Sequence, residues 1–193
     1  TLYHWDLPQP LQDNGGGWES RNTSEAFGHY AGYVAQHLSD RVKNFFTINE
    51  FGAFVELGYS IGIHAPGLKL PPGRFNQTRH HAVLGHGLAV QAIRANAKPG
   101  TRVGLAENMT ICVPVIENEA HIKAAERATR EMNAPYMTVI QEGRYTDAYL
   151  ARAESAGAVL AVVDDPSRTS LPSLQVSDTR RAAAVAAAAF YGE

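Results

Sequence analysis

The order of strand-like and helix-like segments constrains this chain more than any other feature. Thr1–Trp5 is a short β-branched and aromatic run, followed by a loop carrying Pro8, Pro10 and Asn14-Gly15-Gly16-Gly17. A helix follows, with Asn22 as its expected cap and Glu25 three places on as a capping-box partner. Phe27, Tyr30, Ala31, Val34 and Leu38 recur in it at helical spacing. Val42–Asn49 reads as a second strand, and a Gly- and Pro-rich loop runs from Phe51 to about Phe75. A second helix over Thr78–Ala97 is stopped by Lys98-Pro99-Gly100. Arg102–Asn108 is a third strand and Glu119–Asn133 a third helix. Strands alternating with helices indicate an α/β fold, a parallel sheet with right-handed crossovers.

The connections are asymmetric. Loops after strands are long, and loops from helix to strand are short. Each strand also ends in polar groups: His4 and Asp6, then Asn49 and Glu50, then Glu107 and Asn108. In parallel α/β sheets the carboxyl ends of the strands form the active face. Three successive strands delivering polar side chains to that edge point to a site. Glu50 is its centre. A carboxyl ending an apolar strand (Phe45, Phe46, Ile48) is expected in low dielectric, which favours the neutral form and raises the pKa, as a general acid near neutral pH requires. From the residues alone, Asn49-Glu50 as the plain start of a loop is an equal alternative.

Other classes are less well served. The chain is 45% hydrophobic and 19% charged with a net charge of -2, so the basic face of a nucleic-acid binder is absent. No apolar run approaches the roughly 20 residues that cross a bilayer. No signal peptide opens the chain, so a cytoplasmic setting is expected; the opening Thr1-Leu2-Tyr3-His4 reads as an internal start. Cys112 is the sole cysteine, which excludes an intrachain disulfide, and its neighbours Ile111 and Val113 suggest a buried structural thiol. The sequons at Asn22, Asn76 and Asn108 are read as unglycosylated. His80, His81 and His86 share a predicted helix, but His81 and His86 are not at the i, i+4 spacing that aligns ligands, so no metal site is expected. No Gly-x-Gly-x-x-Gly follows a strand, which counts against a dinucleotide binder.

Longer motifs sharpen the reading. Thr1-Leu2-Tyr3-His4-Trp5-Asp6-Leu7-Pro8 with Gly16-Gly17-Trp18 resembles the third-strand segment of glycoside hydrolase family one, the β-glucosidases. Asp40-Arg41-Val42-Lys43 through Thr47-Ile48-Asn49-Glu50 resembles that family's acid/base segment, and Gly58-Tyr59 with His64-Ala65-Pro66-Gly67 its following loop. Val103-Gly104-Leu105-Ala106-Glu107-Asn108 is similar to its fifth strand. The resemblance carried by these motifs covers about residues 1–152.

That resemblance implies a partial TIM (β/α)8 barrel containing the third to fifth strand-helix units. It implies a retaining hydrolase of β-linked glucosides in carbohydrate metabolism, with no cofactor or metal. Glu50 matches the acid/base, Asn49 the ligand of the sugar 2-hydroxyl, and His4 and Trp5 the glycone subsite. Asn108 matches an Asn near the aglycone side. Small aryl β-glucosides or short oligosaccharides are the implied substrates, with galactosides and fucosides as further candidates. In retaining enzymes the second carboxylate lies about 5–5.5 Å from the first and acts as nucleophile.

Departures from the family pattern matter as much. The family usually has Pro directly after the acid/base; here it is Phe51. Glu107 stands where the family is usually apolar, and a satisfied polar group at the rim is the expected role. No Glu-Asn-Gly nucleophile motif occurs, so the isolated chain is expected to be inactive and to self-associate through exposed sheet edges. Residues 153–193 form a divergent Ala/Ser-rich tail of the kind a reading-frame shift would produce, with an alanine-dominated run over Arg180–Phe190. A non-catalytic carbohydrate-binding relative is the alternative function.

Overall fold

The computed structural model describes residues 1–155, 161–163 and 173–175. The chain divides into two compact units, Thr1–Glu107 and Asn108–Glu193.

The first unit opens with an extended segment in which Tyr3 bridges Ile48 in parallel. A short helix α1 (Gln9–Gly15) and a 3-10 turn (Gly17–Glu19) lead into α2 (Arg21–Leu38). The cap of α2 is Ser20, whose hydroxyl accepts from the Asn22 amide, so capping falls two residues before the expected Asn22. Glu25 instead pairs with Arg21 across one helical turn. Strand β1 (Asn44–Asn49) is followed by the short α3 (Phe51–Phe54) and a π-helical turn (Glu56–Ile61). Helix α4 (Pro72–Asn96) begins six residues before the expected Thr78, with Pro72 in its first turn, where a missing N–H costs nothing. Strand β2 (Arg102–Ala106) then pairs in parallel with β1. The strand order is therefore opening segment, β1, β2, all parallel, as the alternating pattern requires.

Two features of this unit position the site. First, a β-bulge interrupts the β1–β2 register: Phe46 faces Gly104 but Asn49 faces Ala106. The extra residue breaks the period-2 alternation, so Thr47 and Ile48 are both fully buried and the strand end is re-aimed. Second, α2 and α4 pack unusually close beneath the strands. A Cβ at Gly28 would lie 3.0 Å from the Leu88 Cβ, and one at Gly32 3.2 Å from that of Ala92. Tyr3, Trp18, Phe27 and Phe54 form an edge-on aromatic cluster, with Tyr3 4.9 Å from Phe54 and 5.3 Å from Trp18 between centroids.

His81 and His86 of α4 are buried. His86 Nδ1 lies 2.7 Å from the Thr47 hydroxyl, which donates to the Gly104 carbonyl, so the neutral ring fits as the donor to Thr47. His81 pairs with the Gln77 amide at 2.9 Å. Burial pushes the His86 pKa down from 6.5 to about 4 and lowers that of His81. The unfolded chain thus binds protons between those values that the folded chain resists. Stability is fully present above pH 6.5 and is lost as pH falls toward 4, with a slope of up to about 1.4 kcal/mol per pH unit for His86. Melting temperature measured from pH 7 to pH 4.5 is expected to fall, and His86→Gln to flatten the curve. Parallel curves for the two proteins would contradict this.

The second unit contains α5 (Glu119–Met132), a π-helical turn (Ala134–Thr138), α6 (Val139–Glu142), α7 (Asp147–Ser155) and a parallel pair, β3 (Ala161–Val163) with β4 (Ser173–Gln175). Asn118 caps α5 by accepting from the His121 amide. Residues 108–118 have no regular structure and are held to α5 by Asn133, which accepts from the Thr110 amide and donates to its carbonyl, and by Thr129, which accepts from the Cys112 amide. Cys112 is half-buried and Ile111 and Val113 are exposed, so the expected buried environment of the thiol is not found. The tail contains the β3–β4 pair; the alanine-dominated run at 180–190 lies outside the described residues.

Candidate active site

Every polar residue expected at the first two strand ends lies at one edge of the first unit. Asn49 ends β1 and Glu50 follows it. The strand exits are tied to one another: the Asn49 amide donates to the Tyr3 carbonyl at 3.0 Å, and the Glu50 amide to the Ala106 carbonyl at 2.7 Å. The Trp5 indole N–H donates to the Asn49 carbonyl at 2.9 Å, which fixes that ring against the acid segment. His4 packs on Trp5 at 5.0 Å between centroids, and its amide donates to the Asp6 carboxylate.

Among the described residues, backbone strain outside glycine is confined to this edge. Among the described residues only Trp5 (φ 74°) and Glu50 (φ 45°) are non-glycine residues with positive φ. Such conformations cost about 1–3 kcal/mol each and persist where the surroundings over-determine them, most often at functional sites. Here the over-determination is visible in the ties to Asn49 and Ala106. Glu50 itself is half-buried. Phe45 and Ile48 behind it are buried, while Phe46 is 46% exposed, so the strand carries one closed and one open apolar face. Neither the Asn49 amide nor the Glu50 carboxylate is hydrogen-bonded to another described side chain, leaving both uncommitted at the rim.

Two further groups belong to this edge. His64 lies 6.0 Å from Trp5 between centroids, its Nδ1 donating to the Ala53 carbonyl at 2.8 Å, and extends the ring surface of His4 and Trp5. The sequence marked His64 only as part of a loop motif. Glu107 accepts from the Phe51 amide at 2.7 Å, the satisfied rim group expected of it. Asn108 opens the second unit as an exposed residue. Among the described residues no three His, Cys, Asp or Glu side chains gather at metal-ligand spacing.

The family model of glycosyl hydrolase family 1 matches residues 1–178, beyond the stretch that the sequence motifs cover. The chain is 36% identical over 165 residues to β-glucosidase A of Acetivibrio thermocellus, covering 86% of this chain and 36% of that protein. It is 40% identical over 145 residues to a β-glucosidase of an Agrobacterium species, covering 75% and 31%. Among solved structures it resembles the virulence factor SghA in complex with its substrate analog salicin, with a TM-score of 0.70 and 33% identity over 92% of this chain and 35% of that one. The family 1 β-glucosidase of Thermotoga maritima with isofagomine lactam gives a TM-score of 0.67 and 25% identity over 94% and 37%. The chain spans about a third of the length of the relatives it matches. Its strands and helices are thus part of a (β/α)8 barrel, and the chain belongs to glycosyl hydrolase family 1.

Proposed function

We propose that this chain carries the acid/base side of a retaining β-glucosidase, with Glu50 as the proton shuttle. The supporting observation is the strained, doubly tied backbone of Glu50 at the carboxyl end of β1, which lies between the opening segment and the parallel β2. In the first step Glu50 gives its proton to the glycosidic oxygen as that bond to the anomeric carbon breaks. A second carboxylate, for which this sequence has no matching motif, forms the new bond to that carbon. In the second step the Glu50 carboxylate takes a proton from water. The water oxygen bonds the anomeric carbon, and the glycosyl ester breaks to free sugar and nucleophile.

In this reading the Asn49 amide binds the sugar 2-hydroxyl, His4 and Trp5 line the glycone subsite, and Asn108 serves the aglycone side. The substrate is an aryl β-glucoside or a short β-linked oligosaccharide. The salicin held by SghA, itself an aryl glucoside, supports the former. Grafting residues 1–178 into the Acetivibrio thermocellus β-glucosidase A, then replacing Glu50 by Gln, tests the assignment. A cytoplasmic setting belongs to the same reading, supported by a single, unpaired cysteine; recovery of the protein in a secreted fraction would count against it.

We also infer that the chain by itself associates through its strand edges. Among the described residues β2 pairs only with β1, and the opening segment lies on the other side of β1. Sedimentation velocity is expected to show concentration-dependent species larger than the monomer. A single monomer boundary across a hundredfold concentration range would contradict it.

A further inference from the structure

We propose that Glu107 is a positioning residue for Glu50: its carboxylate holds the peptide between Glu50 and Phe51 and so fixes the backbone of the acid/base. The inference rests on the assignment of Glu50 above and adds a residue to its machinery. Consecutive amides are anchored on consecutive residues. The Glu50 N–H donates to the Ala106 carbonyl at 2.7 Å, and the Phe51 N–H to Glu107 Oε2 at 2.7 Å. The first bond holds the peptide plane before the Glu50 Cα and the second the plane after it. Together they set φ and ψ of Glu50, 45° and 86°. A non-glycine residue does not rest there unaided.

The need for Glu107 follows from the local chain. Phe51 begins α3, so its N–H has no acceptor within the helix. Its residue is 0% exposed, so water does not readily replace an acceptor. The two departures from the resemblance stated above are therefore one arrangement. A proline after Glu50 would present no N–H and would face an apolar residue without cost. Phenylalanine restores the N–H, and Glu107 supplies the acceptor.

The test is made on the 193-residue chain by nuclear magnetic resonance. In the wild type, the Phe51 amide proton is expected to shift on acidification with the same midpoint as the Glu107 carboxyl carbon. Glu107→Leu is expected to raise the Phe51 amide exchange rate about tenfold or more, the loss of one buried hydrogen bond, and to move the Glu50 Cα and Cβ shifts away from left-handed values. Glu107→Gln, which keeps an acceptor oxygen, is expected to restore both. A Phe51 amide indifferent to Glu107 protonation overturns the proposal, even where the leucine variant does not fold. Glu50 shifts that stay unchanged in a folded Glu107→Leu protein overturn it as well. None of these readouts needs turnover, so their failure leaves the role of Glu50 standing, and failure of that role leaves this hydrogen bond standing.

Discussion

Purified by itself, the 193-residue chain is expected to release no aglycone from an aryl β-glucoside above the buffer rate. Double displacement needs two carboxylates on opposite sides of the anomeric carbon. In the proposed reading Glu50 supplies one, and the sequence has no Glu-Asn-Gly motif to supply the other. With the covalent step removed, a positioned general acid contributes only about 10²–10⁴-fold, far short of what a complete glycosidase delivers. The open apolar face of β1 points the same way: Phe46 is 46% exposed, whereas strands of a closed barrel fill their interior with side chains from all around the cylinder. Continuous release of 4-nitrophenol from its β-glucoside is the measurement. Steady turnover that co-purifies with the chain and disappears in Glu50→Gln would contradict the prediction.

The second large effect concerns Glu50 in a complete barrel. In the graft onto the Acetivibrio thermocellus enzyme, Glu50→Gln is expected to lower kcat about 10²–10⁴-fold on substrates whose leaving group needs a proton. Glutamine has nearly the shape of glutamate, so the strained turn and its bonds to Ala106 and Ala53 need not change. What is lost is the transferable proton. A non-catalytic sugar binder would show no such drop. A merely structural glutamate would lower melting temperature in step with activity.

Much of this architecture was legible in the sequence because it is written in short-range patterns. Apolar runs and helical periodicity place β1, β2, α2, α4 and α5 in the right order, and the polar strand ends mark the edge where Glu50 lies. What was not legible depends on contacts between distant residues. The β-bulge at Thr47–Ile48 exists only against β2 and leaves no local signature. The opening segment contributes one bridge and not a full strand, since Trp5 turns to positive φ to reach the Asn49 carbonyl. Ser20 and Asn22 are both good caps, and the choice between them falls to where the chain leaves the turn at Gly17. The first turns of α4 are polar and carry no apolar stripe, so their helicity was hidden. Phe51 and Glu107 lie 56 residues apart in sequence, and their hydrogen bond joins them.

The most direct measurement is the ratio of wild-type to Glu50→Gln kcat/KM, which reports the glycosylation step alone, in the graft for two aryl β-glucosides, one with a 2,4-dinitrophenolate leaving group and one with unsubstituted phenolate. The first departs without a proton and the second does not, so the ratio for glycosylation is expected to be near one for the former and at least a hundredfold, on the order of 10², for the latter. Equal ratios for both leaving groups would show that Glu50 does not protonate the departing oxygen.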